Sequence, residues 1–236
     1  MVNLNMAVMW IIFAINFIRF VSIFFFIGIG ISMLFYPGGN LHDPTQEGYS
    51  LSHNFLSDLG AYATSSGDVN FLSSFFFSFT LSLFSFAGVA FLFIPQLFIE
   101  DRINYYLSII GSVFIFFGFL FFSGVGLSPH DLYIDQHIFL AIYAFRFLVP
   151  ATFFYAIVLF RSNIKNFYLY TILSCMLSTV LYVVYEILSG SPLDSVDELV
   201  RQVTIQKIIV LVSMFSMFFI TLAFSSKLKS TMKKEI

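Results

Sequence analysis

The sequence predicts an all-α polytopic membrane protein, with six transmembrane helices and both termini cytoplasmic. Three observations carry that expectation. Only 10% of the 236 residues are charged and 59% are hydrophobic, whereas a soluble domain carries roughly 25% charged residues to present a wetted surface. Six stretches reach the about 20 apolar residues a helix needs to cross a ~30 Å hydrocarbon core. The basic residues, finally, fall on one side of the resulting alternation of loops.

The spans run over about 14–36, 71–98, 104–127, 136–160, 167–189 and 203–226 in one transmembrane domain. Pro37-Gly38-Gly39 stops the first, and Glu100-Asp101-Arg102 separates the second from the third. Ser128-Pro129 ends the third, Arg161 to Lys165 divides the fourth from the fifth, and Gly190-Ser191-Pro192 ends the fifth. The first nine residues hold no Lys or Arg and no small-residue cleavage site comes after them, so the first stretch reads as a retained span and not a signal peptide. Cys175 is the single cysteine, which excludes a disulfide framework and a cysteine-based metal motif.

With the N-terminus cytoplasmic, Arg19, Arg102, Arg161, Lys165, Lys227, Lys229, Lys233 and Lys234 all fall on the cytoplasmic side. The loops 37–70, 128–135 and 190–202 then face outward and hold Arg201 as their one basic residue. The expected location is the plasma (cytoplasmic) membrane. The C-terminal KLKSTMKK reads as a contact for anionic lipid and not as a nucleic-acid patch. On this topology all four histidines, His42, His53, His130 and His137, lie at the outer face together with most of the carboxylates.

The first outer loop is long for a compact domain, and loops of such length are usually functional or disordered. Its segment YSLSHNFLSDLGAYA spaces Leu51, Phe55, Leu59 and Tyr62 by 4, 4 and 3, the pattern of one apolar helix face. A short surface helix is expected, offering His53, Asn54, Ser57 and Asp58 on its other faces. In the second outer loop, GLSPHDLYIDQH, Ser128 is placed to cap the fourth span and Pro129 to take its first position.

Asn54 to Gly60 (NFLSDLG) and Gly126 to Asp131 (GLSPHD) carry a resemblance. In this setting of six spans and a long first outer loop they resemble the prokaryotic family catalogued as domain of unknown function 998. That family is distantly similar to eukaryotic membrane proteins of the DRAM and GPI-lipid-remodelling type. The resemblance implies the six-span architecture and marks these residues, and it brings no established activity with it.

The polar residues admit three readings. His53, Asp58, His130, Asp131 and His137 have the donor types of a zinc site, and a metal-bound hydroxide at the bilayer surface could attack a lipid ester, amide or phosphodiester. On one continuous helix, however, His130 and His137 would stand ~10 Å apart at 1.5 Å per residue, so a shared ion needs a break. Alternatively Ser57, His53 and Asp58 supply the residue types of a nucleophile, base and orienter, with His137 completing the reactive set. The third reading is a clasp, in which the same side chains tie loop to loop.

Inside the spans Arg146, Glu186 and Lys207 are costly unless paired or wetted. They are expected to cluster, and Asp135 lies eleven residues before Arg146, nearly in phase on a helix. This suggests a polar pocket open to the outer leaflet, with Arg146 and Lys207 as an anion clamp and Glu186 and Asn54 beside them. The leading function is recognition or modification of a lipid headgroup at the outer leaflet, by metal-dependent hydrolysis or transfer. The alternative is a non-enzymatic lipid-binding scaffold or partner subunit, and a transporter stands third because no inverted repeat or broken helix pair is evident.

Overall fold

The computed structural model describes residues 2–162 and 164–233, with side chains from residue 6 onward; Lys234 of the basic set lies outside the described residues. Six helices dominate: α1 (Val2–Leu34), α2 (Phe71–Phe91), α3 (Arg102–Leu127), α4 (Ile134–Arg161), α5 (Asn166–Leu188) and α6 (Val196–Met232). Each is long and apolar enough to cross a membrane, and among the described residues there is no strand.

The boundaries reflect local chemistry. The second span breaks after Phe91 and continues as a 3-10 segment, Ile94–Phe98, begun at Pro95, whose missing N–H suits a helix start. Asp101 caps α3, its carboxylate accepting from Ile103 N at 2.9 Å and Asn104 N at 3.2 Å. These bonds hold its carboxyl below the usual range, and the charge of Arg161 adds to them. The first helix begins well before residue 14, so Arg19 sits near its middle. There its guanidinium donates to Thr221 Oγ1 at 3.0 Å and Ser225 Oγ at 2.8 Å on α6.

Neighbours in sequence pack as neighbours in space, from α1 to α6, and α6 returns against α1 to close a ring. In lipid, small residues that let backbones approach take over the role that apolar burial has in water. Gly118 of α3 is such a point: a Cβ there would stand 3.3 Å from the carbonyl oxygen of Ala144 on α4. Gly118→Leu should force the two helices apart and cost about 1–3 kcal/mol, measurable as a lowered midpoint in mixed-micelle denaturation.

The centre of the ring is filled at one end only. Phe91, Tyr155 and Phe224 pack edge-to-face or tilted, with centroids 5.6–6.3 Å apart. The Tyr155 hydroxyl meets Ser112 Oγ at 2.7 Å, and Ser112 Oγ also reaches the Phe91 carbonyl at 2.8 Å. At the other end, between the C-termini of α1, α3 and α5 and the N-termini of α2, α4 and α6, the helices surround a cavity. The long loop between α1 and α2 folds over it as a lid.

Candidate functional site

The lid owes its shape to polar side chains that take up backbone groups. Gly39, at φ +82°, passes so close to the chain at Ser66 that a Cβ would lie 2.5 Å from its nitrogen. The fully buried Asn54 ties the lid together. Its Nδ2 donates to Gly39 O at 2.8 Å and Asp58 Oδ2 at 3.0 Å, and its Oδ1 accepts from Ser50 N at 3.0 Å and Gln46 Nε2 at 2.7 Å. Asp58 Oδ2 also accepts from Phe55 N at 3.0 Å.

These bonds compete with a helix, and the expected helix over 51–62 does not form. Only Leu56–Gly60 winds, as a 3-10 turn entered through an extended Phe55. Leu51 and Tyr62 are exposed while Leu59 is buried, so the apolar spacing does not mark one face. Gly60 presses on α2, where a Cβ would come within 2.5 Å of the Phe77 ring. Asn70, at the head of α2, holds the same turn through bonds to the carbonyls of Leu59 and Ala61, both 3.0 Å.

The second loop also departs from expectation. Ser128 closes α3 and does not open α4, its Oγ donating to Gly124 O at 2.8 Å. Residues 130–132 form a turn, and α4 starts only at Ile134. The freed Asp131 reaches the lid, where its two oxygens accept from Tyr62 N and Ala63 N, each at 2.9 Å. The break swings His130 back toward His137, so the rings lie 5.8 Å apart and nearly perpendicular, closer than a continuous helix would permit.

Three residues from separate elements thus meet under the lid. His130 Nε2 stands 3.4 Å from Asp58 Oδ1, an ion-pair distance too long for a good hydrogen bond. His137 Nδ1 lies 2.6 Å from the carbonyl oxygen of Ser128. That carbonyl can only accept, so Nδ1 carries the proton and Nε2 is the free nitrogen of the neutral ring. Burial opposes charge on His130, but the adjacent Asp58 carboxylate, with a contribution from Asp131, prevails and raises its pKa above the ordinary value. Burial, and after it the Asp58 charge, pushes the Tyr36 and Tyr49 phenols well up, so both remain neutral donors. Tyr36 donates to Gly39 O at 3.1 Å, and Tyr49 to the carbonyls of Asn54 and Phe55 at 3.1 and 3.2 Å.

A raised histidine pKa stabilises the fold below its unfolded value of about 6.5 and ceases to do so as pH climbs through the folded value. Melting temperature should therefore fall as pH rises from about 6.5 through the raised folded value. His130→Gln should flatten that slope. A slope unchanged in the variant would show that His130 does not carry it.

The cavity has a volume of about 560 Å³, within the roughly 300–1,000 Å³ of small-molecule sites. All six helices contribute apolar wall, including Ile29, Phe77, Phe122, Ile138 and Met214. Its polar groups gather toward the lid: Ser57, Asp58, His130, His137, Glu186 and Gln206. Ile134 and Ile138 of α4 and Leu193 of the α5–α6 loop line it and are also exposed, which puts its mouth between the start of α4 and that loop.

The remaining expected site residues lie elsewhere. His53 bonds to Ser52 Oγ at 2.8 Å and borders a separate shallow pocket with Asn40, His42, Asp43 and Gln46. It joins neither His130 nor His137. Consequently the five expected metal ligands do not converge, and among the described residues no three His, Cys, Asp or Glu are grouped to hold an ion. The expected Arg146–Glu186–Lys207 cluster is divided. Arg146 pairs with Glu186 at 3.6 Å, whereas Lys207 donates to the Asn54 carbonyl and lies 5.4 Å over the Tyr49 ring. Neither cation lines the cavity, and Asp135 is exposed, so the stripe from Asp135 to Arg146 is not the wall. The pocket is an apolar chamber with a polar roof and not the polar pocket expected.

Gln206, which accepts from Leu56 N at 2.9 Å, is not among the residues expected from the sequence. The i, i+4 pair Gln202 and Gln206 at the head of the last span is the signal that points to it. Comparison of the chain with protein-family models, with curated proteins and with solved structures finds no match.

Proposed function

We propose that this integral membrane protein binds a lipid-like amphiphile from the outer leaflet, its apolar chain in the helix ring and its head under the lid. The observation that carries this reading is the cavity itself, with apolar walls and with its acids and histidines, Asp58, Glu186, His130 and His137, at the lid end. The exposed aliphatic mouth formed by Ile134, Ile138 and Leu193 supports lateral entry, because lipid-exposed apolar side chains need no water there. The two stretches that resemble the uncharacterised family meet here, as Asp58 of one lies 3.4 Å from His130 of the other.

Mass spectrometry of lipids extracted from the purified full chain tests the proposal. One lipid species enriched well above its share of the host membrane is the expected result; a profile matching the bulk membrane would overturn it.

A second reading, hydrolysis or transfer on the bound lipid, is favoured by one observation. The break before α4 puts His130 beside both Asp58 and His137, a base and its orienting carboxylate with Ser57 on the same cavity wall. Hydrolysis of a monoacyl ester by the purified chain, lost in His130→Gln and kept in His53→Ala, is the expected result; no turnover in the parent, or equal turnover in the parent and both variants, would sink this reading.

A further inference from the structure

The polar roof also constrains the head that the chamber can receive, provided the chamber holds a lipid. We infer that the ligand is a single-chain lipid with no anionic group in its head, one that presents amine or hydroxyl donors to Asp58 and Glu186.

Size comes first. The chamber's volume of about 560 Å³ lies in the range of small-molecule sites, which suits one chain with a small head.

Charge decides the head. The acids and histidines lining the cavity are Asp58, Glu186, His130 and His137, with no Lys or Arg among the lining residues. A phosphate or carboxylate head is ordinarily met by Arg or Lys. Both nearby cations are already engaged and neither lines the chamber: Arg146 pairs with Glu186 and the Tyr143 ring, Lys207 with the Asn54 carbonyl and the Tyr49 ring. An anion drawn to His130 would face the Asp58 carboxylate 3.4 Å behind it.

Acceptors, by contrast, are open toward the chamber. Asn54 and Phe55 occupy Asp58 Oδ2, which leaves Oδ1 with lone pairs beside His130. Arg146 engages Glu186 through Oε2, which leaves Oε1. Gln202 spends its Nε2 on Gly190 O and Glu198 Oε1, both at 2.8 Å, so its amide oxygen adds a further acceptor. A protonated amine, or a head of hydroxyls, supplies the donors these groups lack.

Three probes of equal chain length separate the outcomes: hexadecylamine, monopalmitoylglycerol and palmitoyl lysophosphatidate. Each is titrated into the detergent-purified full chain against a bound fluorescent fatty-alcohol reporter. The amine is expected to displace the reporter at least about tenfold more tightly than the lysophosphatidate, with monopalmitoylglycerol between them. Glu186→Gln should weaken the amine about tenfold and monopalmitoylglycerol by less. Lysophosphatidate as the tightest probe, or an amine preference untouched in Glu186→Gln, would overturn the inference while the lipid cavity stands. Failure of the reporter and of all three probes to bind would remove the reading on which it rests.

Discussion

Asp58→Ala is expected to lower stability by about 3 kcal/mol and to abolish amphiphile binding. The carboxylate is the meeting point of three groups: it accepts from Asn54 Nδ2 and Phe55 N within the lid and faces His130 from the α3–α4 loop. Its side chain is 18% exposed, so water compensates little when the acceptor disappears. Three groups then lose a partner at once, and such losses cost more than the net worth of the bonds removed. Chemical unfolding in mixed micelles reads the effect. His53→Ala, outside this network, should stay within about 0.5 kcal/mol of the parent. Equal stability of the two variants would show that the lid is held by other means.

Ala141→Trp is expected to empty the cavity without loosening the fold. Ala141 faces the chamber from α4, one helical turn beyond His137. An indole there takes up space otherwise left for a chain, so binding of a palmitoyl amphiphile should weaken by at least about tenfold, or ~1.4 kcal/mol. Filling a pre-existing void need not strain the core as overpacking does, so the melting temperature should hold or rise. Undiminished binding in a folded variant would place the ligand outside the ring. A large loss of stability would show that no void of that size is there.

Much of the architecture is readable from residue types. Six helices arise from six apolar runs because nothing but a helix satisfies its own backbone in hydrocarbon over that length. Their order around the ring comes from short connections between successive helices, the lid aside. The site is less legible, for reasons visible at particular residues. The spacing of Leu51, Phe55, Leu59 and Tyr62 imitates a helix, but Asn54 and Asp58 capture the backbone N–H groups of Ser50 and Phe55, and local side-chain bonds win over periodicity. Ser128-Pro129 has the chemistry of a helix start, yet Asp131 is drawn to Tyr62 and Ala63 across 69 and 68 positions. Such a contact leaves no local signature. Asp58, His130 and His137 nevertheless stand out by type, because histidine and carboxylate are scarce in an apolar chain.

Arg146, Glu186 and Lys207 show the opposite case. Residue type alone says that none of them can stand alone in the membrane, and each does have a partner. Which partner it takes depends on how the lid drapes over α6, where Lys207 finds the Asn54 carbonyl and the Tyr49 ring and not Glu186. The cavity itself has no sequence signal at all, since its walls are the same Phe, Ile and Leu that elsewhere fill the core.

Whether the apolar chamber beneath Asp58, His130 and His137 houses a lipid chain is open to direct test by photocrosslinking. The full chain in nanodiscs is irradiated with a fatty alcohol carrying a diazirine midway along its chain, and the labelled residues are mapped by mass spectrometry. Labels are expected on chamber residues such as Phe122, Ile138 and Met214, suppressed by excess unlabelled alcohol and absent in Ala141→Trp. Labels confined to exposed side chains outside the chamber, such as Phe153 and Leu177, and unaffected by competitor, would mean that the chain lies in the bilayer and not in the ring.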